Sequence, residues 1–219
     1  HRDLHRVDRR QRQMCIRDRH DPFARVQKPR LEHVVKHALS DDEIQRLLNA
    51  CSGKHWLMRR DRALILLLLG TGLRIMEAHQ LSVQDVQSDT VLIHGKGKKQ
   101  RMVPLPPQVK LAIQKYLIAC PKRLDEHDQL WWGVYGPLTL DGLKQAVRAV
   151  GERAGLKLGP HMLRRTFATR MLAAGASMEH VRLLMGHSDY SVLRQYLNLT
   201  DNDLRAAAEQ FNPVAKLRL

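Results

Sequence analysis

The sequence predicts a mainly helical protein with one small antiparallel β-sheet, an α+β fold. Two observations support this prediction. Along most of residues 31–212, apolar residues recur at the spacing of amphipathic helices between recognisable start and stop signals. One short stretch, 90–105, instead has the pattern of a strand, a basic turn and a second strand. We therefore expect one folded domain over 31–212, followed by a tail over 213–219.

The first helices are defined by their ends. Ser40-Asp41-Asp42-Glu43 has the pattern of a capping box, because the Ser hydroxyl and the Glu carboxylate can satisfy free amides at a helix start, and Gly53 suits the stop. A second helix is predicted from about Arg59 to Leu69. Gly70-Thr71-Gly72 is expected to break that helix, and another begins over 73–81.

The middle of the chain contains the predicted sheet. Strands are expected over 90–94 and 101–105, joined by the basic turn 95–100. Pro104 indicates that the second strand lies at an edge or ends there, and Pro107 can open the next helix.

The C-terminal half is predicted to be helical after one loop. The stretch 121–138 is expected to be that loop, with Trp131 and Trp132 packing rather than stacking on bases. Glycines and helix start signals then separate the remaining predicted helices, which are 140–154, 160–174, 177–185 and 191–211, the last with a break near Leu199.

The charge of the chain points to a polyanionic partner, nucleic acid first. Lys and Arg number 37 against 22 acidic residues, which gives a net charge of +15. Residues 1–30 hold ten basic and four acidic residues, so +6 lies there and +9 in the rest. The segment 1–30 shows no lasting hydrophobic period and is read as disordered, either as a DNA-binding arm or as a non-native extension. Basic charge that only aids solubility is the alternative.

Several function classes are disfavoured. Three widely spaced cysteines form neither a disulfide framework nor a paired metal motif, so a reducing cytoplasm is expected. The longest apolar run, 63–69, is far shorter than a membrane span, and no secretory signal opens the chain. The serine-nucleophile pattern GxSxG is absent, and 95–99 lacks the P-loop pattern.

Two arginines are candidate phosphate ligands. His161 and Arg164 lie three residues apart just after Pro160, so both project from the first turn of a helix whose positive dipole end attracts anions. Arg74 follows an apolar run and is expected close to the core, where it needs a carboxylate or an anionic ligand; Glu77 is the nearby candidate. A solvated His-Arg edge and a plain Arg74–Glu77 helix pair are the alternative interpretations.

The remaining candidates are a hairpin lysine, a histidine and a tyrosine. Lysines in the turn 95–100 either are solvated or approach nucleic acid as point charges and proton donors. His187 follows Gly186 at a predicted helix end, and no third ligand at suitable spacing supports a metal site there. Tyr196, nine residues later, is a candidate nucleophile or an ordinary helix residue.

Together these motifs resemble the catalytic domain of tyrosine recombinases, the phage integrase family. The resemblance covers roughly Ser40 to Asn212, and five motifs in the family's order make it specific. They are Thr71-Gly72-Leu73-Arg74-Ile75-Met76-Glu77, Gly95-Lys96-Gly97, His161-Met162-Leu163-Arg164, Leu184-Met185-Gly186-His187 and Tyr196.

The resemblance implies a role for each motif. Tyr196 attacks the scissile DNA phosphate and forms a 3′-phosphotyrosyl link, while Arg74 and Arg164 stabilise the charge of the transition state. Lys96 protonates the leaving 5′ oxygen. His161 assists proton transfer, His187 hydrogen-bonds the phosphate, and Glu77 supports the site from behind. Residues expected to contact DNA are Lys98, Lys99, Arg101 and Arg165.

The resemblance also implies partners and location. Double-stranded DNA is the expected partner of a homotetramer that assembles on two DNA sites, in the cytoplasm and associated with the nucleoid. DNA recombination or integration, as in a phage or mobile element, is the expected process, with no cofactor, metal, membrane or small-molecule substrate. Relatives usually carry a separate N-terminal helical domain, for which the residues before Ser40 are too few. The sequence is therefore either a single-domain recombinase, like the fimbrial-switch invertases, or an incomplete chain; the patternless 1–30 favours the second.

Two other functions compete with this interpretation. One is a DNA-binding module without turnover, and the other is a related topoisomerase that relaxes supercoils without site preference. Because every catalytic position of the family is occupied, the sequence favours a DNA-breaking and rejoining enzyme over the binding module, and a plasmid relaxation assay distinguishes the topoisomerase.

Overall fold

A computed structural model of the protein describes residues 37–94 and 100–186, which belong to a single unit. In this part of the chain there are seven α-helices, a two-stranded antiparallel sheet and a second, shorter hairpin. The helices are α1 (Asp41–Asn49), α2 (Trp56–Thr71), α3 (Ile75–His79), α4 (Pro107–Ala119), α5 (Leu140–Arg153), α6 (Pro160–Ala173) and α7 (Met178–Met185). The strands are β1 (Thr90–His94), β2 (Gln100–Pro104), β3 (Trp132–Gly133) and β4 (Gly136–Pro137).

Helix α2 is the centre of the core. Its residues Leu64, Ile65, Leu67 and Leu68 are at most 1% exposed, and it packs against α4, α5 and α6. A helix that is apolar on most sides can only be stable when other elements cover it, and each buried leucine contributes about 1.5–3 kcal/mol. The run of apolar residues noted in the sequence is therefore the part of the core on which α4, α5 and α6 pack.

Helix α1 begins as predicted. The Ser40 hydroxyl accepts a hydrogen bond from the Glu43 amide (3.2 Å), and the Glu43 carboxylate accepts one from the Ser40 amide (2.8 Å). This reciprocal capping box satisfies two amides that a helix start otherwise leaves free. The helix ends at Asn49 with Ala50 as its C-cap, earlier than Gly53 suggested.

Helix α2 is longer than predicted at both ends. It starts at Trp56, because the ring Nδ1 of His55 accepts the Leu57 amide (3.3 Å) and caps the first turn. It also continues through Gly70 to Thr71, so the break predicted for Gly70-Thr71-Gly72 is confirmed but falls at its last residue, Gly72. A Cβ at Gly70 would lie 2.9 Å from Val109 Cγ2 of α4, so glycine at this helical position lets the two helices approach closely.

The predicted sheet is present. Strands β1 and β2 pair antiparallel from Thr90 opposite Pro104 to His94 opposite Gln100, and β2 ends at Pro104, one residue before the predicted boundary. Inward-facing Ile93 and Val103 are buried, as a sheet with one covered face requires.

The stretch 121–138 differs from the prediction because it contains the β3–β4 hairpin rather than a loop alone. The packing predicted for the two tryptophans is observed. Trp131 is fully buried and donates its ring N–H to the Ala78 carbonyl (2.8 Å). Trp132 is half-buried, with the Lys122 ammonium 3.6 Å from the centre of its ring.

The last described helices agree with the prediction. Helix α6 starts at Pro160, where the missing amide costs nothing, and α7 ends at Gly186 in the left-handed region (φ 64°). The helix predicted over 191–211 lies outside the described residues. None of the helices within 37–94 and 100–186 is long and apolar enough to cross a bilayer.

Candidate functional site

The site is built on the turn between α2 and α3. Gly72 ends α2 with φ 63°, and a Cβ at this position would lie 2.3 Å from Phe167 Cδ1 of α6. Glycine is therefore required twice, by the left-handed backbone and by the ring that covers it. Two residues later Arg74 caps α3. The tight corner thus turns the chain from the core to a surface-facing arginine.

Arg74 bridges α3 and the end of α7. Its Nη1 donates to the Glu77 carboxylate (3.0 Å) and to the Met185 carbonyl (3.4 Å), and its Nη2 donates to the Gly186 carbonyl (3.2 Å). The predicted pairing with Glu77 is confirmed. The side chain is 43% exposed, so the expectation of a position close to the core was wrong; the corner at Gly72 directs it outward.

Arg164 approaches the same place from α6 and is only 5% exposed. Its Nη1 donates to the Gly72 carbonyl (2.6 Å) and its Nη2 to the Met185 carbonyl (2.7 Å). Both contacts fix the plane of the guanidinium. The prediction that Arg164 lies in the first turns of a helix is confirmed by α6.

The two guanidinium groups converge on one oxygen. Arg74 and Arg164 both donate to the Met185 carbonyl, at the C-terminal end of α7. Arg74 also pairs with the Glu77 carboxylate, and the helix end adds a partial negative charge, about half an elementary charge, beside the two cations. Like charges held this close favour an anion with several oxygen acceptors, such as a phosphate.

Glu77 holds two arginines in place. Besides the hydrogen bond from Arg74, its carboxylate accepts hydrogen bonds from both Nη atoms of Arg101, a residue of β2, at 2.9 Å and 2.7 Å. Burial alone raises the pKa of Glu77, but the hydrogen bonds from Arg101 and from the Arg74 amide, together with both positive charges, bring it below the ordinary value. Glu77 is therefore a charged carboxylate in a largely buried position.

The contact of Arg101 with Glu77 was not anticipated from the sequence, although a signal for it exists. In a strand, alternate residues face the same side, so a buried Val103 predicts an inward-facing Arg101. Its side chain is 14% exposed, and its Nε donates to the Leu184 carbonyl (2.9 Å). The DNA contact expected of Arg101 remains a prediction.

His161 and Arg165 lie on the same helix as Arg164. His161 is exposed in the first turn of α6. Arg165 donates to the His37 carbonyl (2.9 Å) and helps to hold the segment before α1, where the Thr166 hydroxyl also accepts the Leu39 amide (2.9 Å). The DNA contact expected of Arg165 remains a prediction.

The other predicted site residues lie outside the described part of the chain. Their positions in the sequence still relate them to described elements. The lysine-bearing segment connects the paired residues His94 and Gln100, and one histidine follows Gly186 directly. These residues are Lys96, Lys98, Lys99, His187 and Tyr196.

Comparison with known proteins identifies the family. The model of the phage integrase family matches residues 37–203, which include every described element. The chain belongs to the phage integrase family.

Relatives in this family are named tyrosine recombinases. XerC of Bacillus subtilis (strain 168) is 34% identical over 205 residues, which cover 89% of this chain and 67% of that protein. XerA of Thermococcus kodakarensis is 33% identical over 204 residues, covering 90% of this chain and 70% of that protein.

Solved structures of family members share the fold. The crystal structure of XerA recombinase has a TM-score of 0.66 at 26% identity, covering 86% of this chain and 68% of that one. The XerH recombinase bound to its difH substrate has a TM-score of 0.64 at 28% identity, covering 81% of this chain and 55% of that one.

These comparisons confirm the predicted family, the mainly helical fold with a small antiparallel sheet, and the predicted function: this phage integrase family member is a tyrosine-type site-specific recombinase. Within the described ranges, no group of three or more His, Cys, Asp or Glu side chains is placed to hold a metal ion. The roles of individual residues, which the comparisons leave untested, are proposed below.

Proposed function

We propose that this chain cleaves and rejoins double-stranded DNA with Tyr196 as the nucleophile. The observation that carries the proposal is the convergence of Arg74 and Arg164 on the Met185 carbonyl. Two guanidinium groups from different helices, held by fixed hydrogen bonds, are pre-organised for the two non-bridging oxygens of a phosphodiester. Donors fixed before the reaction stabilise the extra charge of a pentacoordinate transition state without reorganisation.

The proposed chemical step is balanced without a cofactor. The phenolic oxygen of Tyr196 forms a bond to phosphorus while the bond from phosphorus to the 5′ oxygen breaks. The phenol proton leaves with the help of His161, and Lys96 donates a proton to the departing 5′ oxygen. His187 hydrogen-bonds the phosphate. The 3′-phosphotyrosyl link retains the phosphodiester energy, so attack by a 5′-hydroxyl reverses the step and rejoins the DNA.

A phenol needs this environment to react near neutral pH. Its ordinary pKa is about 10, so most of it is protonated at pH 7. Nearby cations favour the phenolate and the charged phosphate together. Among the described residues, Arg74 and Arg164 supply such cations.

We further propose double-stranded DNA as the partner, since the chain carries a net charge of +15 and its XerH neighbour was solved on a DNA substrate. The tetramer on two DNA sites, the location in the cytoplasm at the nucleoid, and DNA contacts by Lys98, Lys99 and Arg165 follow from the resemblance alone. Light scattering of the protein with and without DNA tests the tetramer.

The test is formation of a covalent protein–DNA adduct. Nicked duplexes with randomised arms trap the adduct, because the short strand after the nick diffuses away and cannot be rejoined. Adducts that survive denaturation are sequenced, and the recovered duplex becomes the substrate for all further assays. We expect an adduct from the wild-type chain and none from Tyr196→Phe.

Three results would contradict the proposed reaction. Salt-sensitive binding without any adduct indicates a DNA-binding module without turnover. Relaxation of supercoiled plasmid with no enrichment of a sequence in the library indicates a topoisomerase. A third result, an adduct that persists in Tyr196→Phe, shows that another residue is the nucleophile.

A further inference from the structure

Arg101 occupies an unusual place for a cation of a DNA-binding protein. It lies on β2 opposite Ile93, on the inward face shared with buried Val103. Its side chain is 14% exposed, against 43% for Arg74. An inward arginine is retained only where its N–H groups find acceptors, because burying an unpaired charge is costly.

All three nitrogens of the Arg101 guanidinium have acceptors inside the protein. Nη1 and Nη2 donate to the two carboxylate oxygens of Glu77 at 2.9 Å and 2.7 Å, and Nε donates to the Leu184 carbonyl at 2.9 Å. The fork-like bidentate pair fixes both the distance and the plane of the carboxylate. A lysine, with one nitrogen, cannot make all three contacts.

Glu77 in turn determines where Arg74 points. The same carboxylate oxygen that accepts Arg101 Nη1 also accepts Arg74 Nη1 (3.0 Å), and the other oxygen accepts the Arg74 amide (2.8 Å). Rotation of Glu77 about its side-chain bonds would break the contacts to Arg74 together. The bidentate contact of Arg101 opposes that rotation.

The second contact of Arg101 reaches the end of α7. Leu184 immediately precedes Met185, whose carbonyl accepts hydrogen bonds from both Arg74 and Arg164. Gly186 packs against the same guanidinium, since a Cβ there would lie 2.7 Å from Arg101 Nη1. Arg101 thus supports the two structures that orient Arg74, namely the Glu77 carboxylate and the carbonyl end of α7.

We propose that Arg101 is a positioning residue for DNA cleavage, which acts by fixing Glu77 and the end of α7 behind Arg74 rather than by contacting DNA. The proposal rests on the recombinase function proposed above. It differs from the sequence-based prediction, in which Arg101 contacts DNA directly, and the two roles predict different results.

Arg153 provides a matched control. Its Nη2 donates to the buried Asp61 carboxylate at 2.7 Å, the same distance as Arg101 Nη2 to Glu77. The Asp61 contact joins α5 to α2 and involves neither Arg74 nor α7. Arg153 is 38% exposed, so Arg153→Ala removes the arginine from a buried carboxylate without touching the proposed site.

The experiment compares Arg101→Ala, Arg101→Lys and Arg153→Ala with the wild-type chain on the recovered nicked duplex. Single-turnover adduct formation, the DNA Kd as a function of salt, and Tm are measured for each. We expect both Arg101→Ala and Arg153→Ala to lower Tm. Of these two variants, only Arg101→Ala should slow adduct formation, by about 10²-fold, since small misplacement of a catalytic group has effects of that size.

Two further readouts separate positioning from DNA contact. Arg101→Lys keeps the charge but not the bidentate pair, so we expect its defect to persist and the salt dependence of Kd to stay unchanged. In an Arg74→Ala background, Arg101→Ala should add little further loss, because residues that act through one another are not additive.

The outcomes are distinguishable. A wild-type chain that forms no adduct overturns the recombinase proposal itself. A functional wild type with equal rates for Arg101→Ala and Arg153→Ala overturns the positioning role. Weaker DNA binding with a smaller salt slope in Arg101→Ala, restored by Arg101→Lys, also overturns it and shows direct contact with DNA.

Discussion

Two buried carboxylates in this protein each bind two arginines, yet their roles differ. Asp61 accepts from Arg60 (3.1 Å and 2.6 Å) and from Arg153 (2.7 Å), and it ties α2 to α5. Glu77 accepts from Arg74 and Arg101 and ties α3 to β2. In each pair one arginine is the more exposed, here called the outer arginine. The outer arginines differ little in exposure, since Arg153 is 38% and Arg74 43% exposed.

The difference lies in what surrounds each pair. Arg60 donates its remaining Nη1 to the Trp132 carbonyl (3.0 Å). The cluster of Arg60, Asp61 and Arg153 is therefore held by contacts within the fold. Arg74 instead meets a third cation, Arg164, at the Met185 carbonyl. A buried carboxylate with two arginines is therefore not in itself a functional signature. Convergence of a further cation from another helix is the feature that indicates an anionic ligand.

The largest expected effect separates the two outer arginines. Arg74→Lys leaves one nitrogen to replace contacts to Glu77, Met185 and Gly186 as well as a phosphate. We expect adduct formation on the recovered duplex to fall about 10²–10³-fold, as when a fixed transition-state donor is lost. Arg153→Lys should retain the wild-type rate. Equal losses in both variants would show that the clusters are functionally equivalent.

The backbone beneath Arg74 gives the next effect. Gly72→Ala places a methyl group in the left-handed region and against Phe167, so we expect a loss of about 3 kcal/mol in the free energy of unfolding. Gly155 has a similar φ of 69°, but a Cβ there would meet nothing within 4 Å, and Gly155→Ala should cost only about 1 kcal/mol. Urea denaturation measures both. Similar losses would mean that Phe167 moves aside freely.

The charge of Glu77 predicts a pH dependence. Its pKa is lower in the folded than in the unfolded state, so its stabilisation is complete above the ordinary value of 4.5 and is lost as the pH falls through the lowered value. At pH 7 we expect Glu77→Gln to lower the free energy of unfolding by about 2 kcal/mol. The gap to wild type should narrow below pH 4.5.

The matched change at the other carboxylate completes this test. Asp61→Asn should also destabilise the fold at pH 7, but only Glu77→Gln should slow adduct formation. A gap between wild type and Glu77→Gln that stays constant down to acidic pH would contradict the assigned charge of Glu77.

The smallest expected effect concerns a thiol beside the Asp61 cluster. Burial, and next the negative charge of Asp61, raise the pKa of Cys51, which is 1% exposed. Thiolate is the reactive form, so timed alkylation followed by peptide mass spectrometry should modify Cys51 more slowly than the half-buried Cys120. Equal rates would indicate that the Asp61 side of the core opens readily.

The sequence correctly predicted those structural features that depend on residues close together in the chain. The capping box at Ser40 and the hairpin over 90–105 both appear, because each depends on neighbouring side chains or strict alternation. The helical state of Gly70 was not predicted, because glycine there permits close approach of Val109 from α4, a helix far away in the sequence, rather than ending the helix. For Arg74, apolar neighbours suggested burial, but a corner set by one glycine turned it outward.

The sequence predicted the side chains of the candidate site but not its main-chain acceptors. The arginines and Glu77 were identified from their spacing, and Arg101 was identified as basic but assigned to DNA rather than to Glu77. The acceptors at Gly72 and Met185 had no signal, because every residue has a carbonyl and only the fold selects which ones meet a guanidinium.

The Met185 carbonyl has a consequence for genetics. No codon change can delete a main-chain oxygen, so an alanine scan would score position 185 by its buried thioether and overlook the atom that two arginines share. Sensitivity should instead appear at Gly186, where any side chain would press on Arg101 and displace the peptide that follows Met185. Loss of function on substitution of Gly186, which has no functional side chain, would then be the genetic evidence for the role of the Met185 carbonyl.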